Sequence, residues 1–72
     1  MPKKKMIIPP ATAAELIKKA GGARVSERAA ERLAEILIEI GLEISEEAVK
    51  LCSHAGRKTV KESDVELARR VV

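Results

Sequence analysis

The stretch ERAAERLAEILIEIGLEISEEAVKLCSHA, residues 27–55, can form a single long helix, and the rest of the chain must pack around it. It contains no proline, and Gly41 is its only glycine. Apolar side chains recur along it at spacings of three and four residues, which is the period of one helix face. Ser26, directly before it, is a typical N-cap residue, and Gly56, directly after it, is a typical helix terminator. The sequence therefore predicts one central helix that is unusually long for so short a chain.

A shorter helix is predicted before the long one. Two prolines at positions 9 and 10 interrupt any earlier helix. Thr12 and Glu15 then match the T-x-x-E capping box, which predicts a first helix over residues 13–20. The glycine pair that follows, at positions 21 and 22, ends it.

A third helix is predicted over residues 62–71. Its first turn holds Glu62 and Asp64, and its last turn holds Arg69 and Arg70. This arrangement of charges is the one that the helix dipole favours, with acidic groups at the N-terminus and basic groups at the C-terminus. Together the three segments predict an all-α fold of a short, a long and a short helix.

The length of the chain limits it to one small domain. It has 72 residues, of which 46% are apolar and 35% charged. We expect a folded domain over residues 9–72, preceded by a basic flexible tail at residues 1–8. No apolar run approaches the roughly 20 residues of a membrane span, and the single Cys52 cannot close a disulfide within the chain. We therefore expect a soluble protein of the cytoplasm.

The apolar stripe of the long helix is wider than two short helices can cover. Each Leu or Ile left in water forgoes roughly 1.5 to 3 kcal/mol of stabilisation, and a domain of this size has little to spare. The sequence therefore predicts a dimer, formed with a second copy or with a similar chain. The side chains predicted to form its core are Leu33, Leu37, Ile40, Ile44 and Ala48.

The charges are separated along the chain. The net charge is +3, but residues 1–25 carry six basic residues against one acidic residue, whereas residues 26–52 carry seven glutamates against three basic residues. The basic charge is thus concentrated in the tail and the loops. A polyanionic partner would meet those parts of the molecule first.

The chain lacks the residue patterns of an enzyme. It has no paired acid and base, no glycine-rich cofactor turn and no activated nucleophile, so we predict that it is not an enzyme and needs no cofactor. Cys52 and His54 do not predict a metal site, because zinc needs about four ligands and nothing nearby supplies the others. Aromatic residues are absent, which disfavours recognition of single-stranded nucleic acid by stacking. Among the possible contacts with nucleic acid, contact with the backbone of duplex DNA is the one that these observations do not disfavour.

Three stretches of this sequence resemble archaeal histones: IKKAGGARVS at residues 17–26, EEAVKL at 46–51 and HAGRKTVKESDVELA at 54–68. The resemblance extends over about residues 9–70. It implies the histone fold, in which two chains cross their long helices head to tail as an intertwined dimer. It also implies that the first loop of one chain lies beside the second loop of the other, and that duplex DNA binds across these paired loops.

The resemblance assigns roles to individual residues. Arg57 corresponds to the loop arginine of the family, and Asp64 to the aspartate that clamps it. The residues expected to contact DNA are Arg24, Val25, Ser26, Lys58, Thr59, Lys18 and Lys19. Leu51, His54, Asp64 and Leu67 correspond to a contact that joins two dimers. One departure is Glu15, which stands where the family usually places an arginine that enters the minor groove.

The function that follows is that of an archaeal-type histone, which binds, bends and compacts duplex DNA at the chromosome or nucleoid with little sequence preference. Its partners would be DNA, a second copy or a similar histone, and further dimers in a tetramer or larger assembly. The alternative is a histone-fold subunit that pairs with a paralogue and binds DNA weakly or not at all. The basic loops favour the first interpretation.

Overall fold

A computed structural model describes residues 7–72, which form three helices and contain no strand. The helices are α1, Pro10–Lys19; α2, Glu27–His54; and α3, Glu62–Val71. The predicted all-α class and the order of a short, a long and a short helix are therefore confirmed. Most of the predicted tail at residues 1–8, including its three lysines, lies outside the described residues.

Helix α1 begins three residues earlier than predicted, and the capping box proposed for Thr12 and Glu15 is wrong. Pro9 is the N-cap, and its carbonyl accepts the N–H groups of Thr12 at 3.0 Å and Ala13 at 3.4 Å. No side chain among the described residues caps this helix. The physical reason is that proline suits the first helical position: Pro10 has no N–H that would need a partner there, and its ring already holds a helical φ.

The C-terminal ends of α1 and α2 have the same hydrogen-bond geometry. After α1, the N–H of Gly22 bonds to the carbonyl of Ile17 and the N–H of Gly21 bonds to the carbonyl of Lys18, both at 3.0 Å. Gly21 has a φ of 115°, which a residue with a side chain rarely adopts. These paired bonds are those of the Schellman motif, and they satisfy carbonyls that the helix end leaves free.

Helix α2 starts at the predicted residue and ends one residue earlier than predicted, at His54. The Ser26 Oγ accepts the N–H of Ala29 at 3.0 Å, as expected of an N-cap serine. At the other end Gly56 has a φ of 73°, and its N–H bonds to the carbonyl of Ser53 at 2.9 Å. The N–H of Arg57 reaches the carbonyl of Cys52 at 3.0 Å, which completes a second Schellman motif.

The chain forms two compact units, one ending at Glu39 and the other beginning at Ile40. Within the described part of the first unit, the buried apolar residues are Ala13, Ala30 and Ala34. Within the second they are Ala48, Cys52 and Ala68. Among residues 7–72 no large side chain is fully buried, so each unit has a core of small side chains only.

None of the three helices is long and apolar enough to span a membrane.

Candidate nucleic-acid interface

Loop 2, residues 55–61, is held by an ion pair between its arginine and the first turn of α3. Arg57 Nη1 donates to Asp64 Oδ2 at 2.9 Å, and Arg57 Nη2 donates to Asp64 Oδ1 at 2.8 Å. Two parallel bonds of this kind fix the orientation of both planar groups. The Asp64 side chain is only 6% exposed and the Arg57 side chain is 31% exposed. The guanidinium therefore lies against the protein rather than extending into solvent.

Asp64 also caps α3. Its Oδ2 accepts the backbone N–H of Lys61 at 2.8 Å, directly before the helix begins. The hydrogen bonds from Arg57, followed by the one from Lys61, hold the pKa of the Asp64 carboxyl well below its usual range. The same pairing with Asp64 raises the pKa of Arg57. Both groups therefore stay charged across the physiological pH range.

Two carbonyl groups of loop 2 point toward the end of α2. The Cys52 thiol lies 3.2 Å from the carbonyl oxygen of Arg57 and 3.3 Å from that of Thr59, within hydrogen-bonding distance of both. Arg57 Nη1 also donates to the carbonyl of Thr59 at 3.2 Å. Cys52 is buried, and its part in holding the loop was not predicted from the sequence. No local pattern indicates it, since the contact depends on how the loop folds back over the helix end.

The same folding leaves a set of donors on the outside of loop 2. Lys58, Thr59 and Val60 are exposed, and their backbone N–H groups make no hydrogen bond within residues 7–72. Lys58 makes no ion pair within that range either. An ammonium, a hydroxyl and backbone amides on one short exposed segment can bind the oxygens of a phosphate.

Loop 1, residues 20–26, carries Arg24 with its side chain exposed and Val25 half-buried. The Ser26 hydroxyl accepts the capping N–H of α2 and keeps its own hydrogen free to donate. Glu27 adds a carboxylate in the first turn of α2, which opposes the attraction that the helix N-terminus would otherwise exert on an anion. Arg24 is therefore the main cationic group of this loop.

The last turn of α1, directly before loop 1, adds two further cations. Lys18 and Lys19 are both exposed there. Glu15 is exposed as well, one turn earlier in the same helix. The carboxylate of Glu15 reduces the positive charge that this helix presents.

Comparison with known sequences places these features in a family. The profile of the family described as "Histone-like transcription factor (CBF/NF-Y) and archaeal histone" matches residues 6–68. The chain belongs to this histone-fold family. Among curated relatives, one of the subunits of archaeal histone HAN1 from Thermococcus zilligii is 52% identical over 61 residues, which are 85% of this chain and 91% of that protein. Probable archaeal histone 3 of Methanocaldococcus jannaschii is 51% identical over 63 residues, which are 88% of this chain and 94% of that protein.

In this histone-fold chain, the side chains predicted to form the dimer core are only partly covered. Leu33, Leu37 and Ile44 are half-buried, and Ile40 is 48% exposed. Ala48 differs, because it is already buried within its own chain. A partner helix could therefore bury the exposed surface of the four large residues of this set, but Ala48 has little surface left to bury.

The residues predicted to join histone-fold dimers differ in how accessible they are. His54 and Leu67 are exposed and Leu51 is half-buried. Asp64 is buried, and its two oxygens already accept bonds from Arg57 and Lys61. Only a remaining lone pair of Asp64 could accept a further donor.

Residues 7–72 contain no group of three or more His, Cys, Asp or Glu side chains that could hold a metal ion.

Proposed function

We propose that this chain is an archaeal-type histone that binds duplex DNA through its two loops, with little preference for base sequence. The observation that carries the proposal is the geometry of loop 2. Its arginine is clamped inward by Asp64, while Lys58, Thr59 and Val60 are exposed and their amides make no hydrogen bond within residues 7–72. A loop held in this way does not have to be ordered when it binds a phosphate, which lowers the cost of binding.

The chemistry of the loops favours the sugar–phosphate backbone over the bases. Ammonium, hydroxyl and amide donors bind phosphate oxygens regardless of sequence. The aromatic side chains that stack on unpaired bases are absent from the chain. Duplex DNA is therefore the proposed ligand, and the chromosome or nucleoid is the proposed location of the protein.

The proposed binding unit is a dimer, formed with a second copy or with a similar histone. In a head-to-tail dimer, loop 1 of one chain lies beside loop 2 of its partner, so Arg24 and Lys58 from different chains would serve one stretch of DNA. The exposed large apolar side chains support dimer formation. Among them are Ile40, Leu42 and Val49 of α2, each about half exposed or more. A dimer has two such loop pairs, and the proposed function includes bending of the DNA between them.

Larger assemblies are proposed to form through the end of α2 and through α3. His54 and Leu67 are exposed there, and Leu51 is half-buried. A histidine of one dimer would donate to Asp64 of the next, at a lone pair that the clamp leaves free. Such contacts would compact DNA by joining dimers side by side.

The test of the proposed function is the double substitution Arg24→Glu and Lys58→Glu. Binding of the wild-type protein to duplex DNA should weaken steeply with salt, with a logarithmic slope of about 0.9 for each phosphate neutralised. The double variant should bind far more weakly, with a smaller salt slope and an unchanged melting temperature. The matched control for Lys58→Glu alone is Lys50→Glu, which makes the same lysine-to-glutamate change at an exposed position of α2 outside both loops. Equal binding by the wild type and the double variant would favour a histone-fold subunit that pairs with other proteins.

A further inference from the structure

We propose that Cys52 is a positioning residue of loop 2, whose single S–H hydrogen, shared between the carbonyls of Arg57 and Thr59, holds two peptide groups so that their N–H groups face a bound phosphate. The inference rests on the proposed binding of DNA by this loop. It gives a role to the one cysteine of the chain, which is buried at the end of α2 and 3% exposed.

The thiol contacts the carbonyls of two loop residues that are separated by one residue. Its sulfur lies 3.2 Å from the carbonyl oxygen of Arg57 and 3.3 Å from that of Thr59, the residues on either side of Lys58. The backbone carbonyl of Cys52 itself accepts the N–H of Arg57 at 3.0 Å. Cys52 thus contacts the loop through both its side chain and its main chain.

The direction of these carbonyls determines the direction of the next amides. In a trans peptide the C=O and the following N–H point in opposite directions, and the described chain contains no cis peptide bond. Because the carbonyl of Arg57 points inward to the thiol, the N–H of Lys58 points outward. The inward carbonyl of Thr59 likewise turns the N–H of Val60 outward.

Arg57 provides only part of this anchoring. Its Nη1 reaches the carbonyl of Thr59 at 3.2 Å, but neither guanidinium bond goes to its own carbonyl. Within residues 7–72, the Cys52 thiol is the side-chain donor directed at the peptide group between Arg57 and Lys58. An alanine at position 52 would remove that donor while leaving the Arg57–Asp64 clamp in place.

The first measurement is the S–H stretching band, read by Raman spectroscopy without DNA. The chain has one thiol, so the band is assigned without ambiguity. Hydrogen bonding to a carbonyl should move the band of the folded protein to lower wavenumber than that of the unfolded chain. A band at the same position in both states would overturn the inference.

The second measurement is the affinity for duplex DNA of Cys52→Ala and Cys52→Ser, with Ser53→Ala as the matched control. Ser53 is exposed on the same turn and makes no side-chain hydrogen bond within the described residues. Loss of the thiol donor should weaken binding by about 2- to 10-fold, the range expected for one hydrogen bond. Cys52→Ser keeps a donor and should recover part of that loss, and Ser53→Ala should bind as the wild type does.

These outcomes separate the inference from the function on which it rests. Circular dichroism and the melting temperature establish that each variant is folded before its affinity is compared. Wild-type affinity in folded Cys52→Ala, or no recovery in Cys52→Ser, would overturn the positioning role and leave DNA binding intact. A wild-type protein that binds no duplex would overturn both.

Discussion

At the scale of single residues, the clamp between Arg57 and Asp64 has two consequences for the loop. It withdraws one cation from the surface, and it holds the loop in the form that exposes Lys58. Arg57 therefore contributes to binding through the shape of the loop, whereas Lys58 contributes its charge. The two basic neighbours cannot be exchanged, because only a planar guanidinium forms the bidentate pair with a carboxylate.

The clamp predicts how the stability of the protein depends on pH. The pKa of Asp64 is lowered in the folded state, so its contribution to stability is complete above the unfolded pKa of about 3.9 and is lost as pH falls below it. Asp64→Asn should lower the melting temperature at neutral pH. The difference from the wild type should shrink as the pH falls from about 5 toward 2.

Thermal unfolding monitored by circular dichroism across this pH range measures the effect. Glu66→Gln is the control, because Glu66 pairs with Arg69 on the surface and its side chain is 51% exposed. A surface pair of that kind contributes little. Equal pH dependence in the wild type and Asp64→Asn would show that the carboxylate does not stabilise the folded chain.

At the scale of the elements, the N-termini of α1 and α2 differ, although the sequence predicts a side-chain cap for both. Ser26 caps α2 with its side chain, whereas α1 starts at a proline without any side-chain cap. Thr12 lies inside the first turn of α1, and Glu15 is not part of a capping box. The carboxylate of Glu15 therefore adds no cap to α1, and its main effect on DNA binding is electrostatic.

This difference predicts the outcome of two alanine substitutions. Ser26→Ala removes the acceptor of the Ala29 N–H and should lower the free energy of unfolding by about 1 kcal/mol. Thr12→Ala removes no cap and should change it by less than about 0.5 kcal/mol. Urea unfolding of both variants beside the wild type checks the prediction. A comparable loss of unfolding free energy in Thr12→Ala and Ser26→Ala would contradict the N-terminus described for α1.

At the scale of the whole molecule, the single chain buries small side chains and exposes large ones. Among residues 7–72 the buried apolar residues are alanines and one cysteine, while Leu42 is 58% exposed and Val71 is 63% exposed. Burial of a large aliphatic side chain is worth roughly 1.5 to 3 kcal/mol, far more than burial of an alanine. The apolar surface left exposed by one chain is therefore the principal source of stability still available to a dimer.

A dimer held together in this way should melt at a temperature that depends on protein concentration. Dilution shifts the equilibrium toward separate chains, which should unfold because their described residues form no core of large side chains. Melting curves over a wide range of concentrations, with the mass in solution from light scattering, test this. A constant melting temperature together with the mass of one chain would contradict the dimer.

Much of the architecture was determined by the sequence alone, because its signals are local. Helical periodicity, the serine before α2 and the glycines at 21 and 56 act over a few neighbouring residues, and they predicted three helices in the right order. The start of α1 was missed because two local signals competed, and the proline at position 10 prevailed over the threonine. The spacing of Arg57 and Asp64 predicted a clamp, through resemblance to a family.

The contacts that depend on how the chain folds back on itself could not be predicted from the sequence. The Cys52 thiol meets carbonyls five and seven residues away because loop 2 returns over the end of α2, and no period in the sequence encodes that path. Ala48 shares the apolar stripe of α2 with Ile40, yet Ala48 is buried within one chain and Ile40 is left half exposed. A pattern of apolar residues shows which side chains avoid water, but the packing of the folded chain determines which of them its own residues cover.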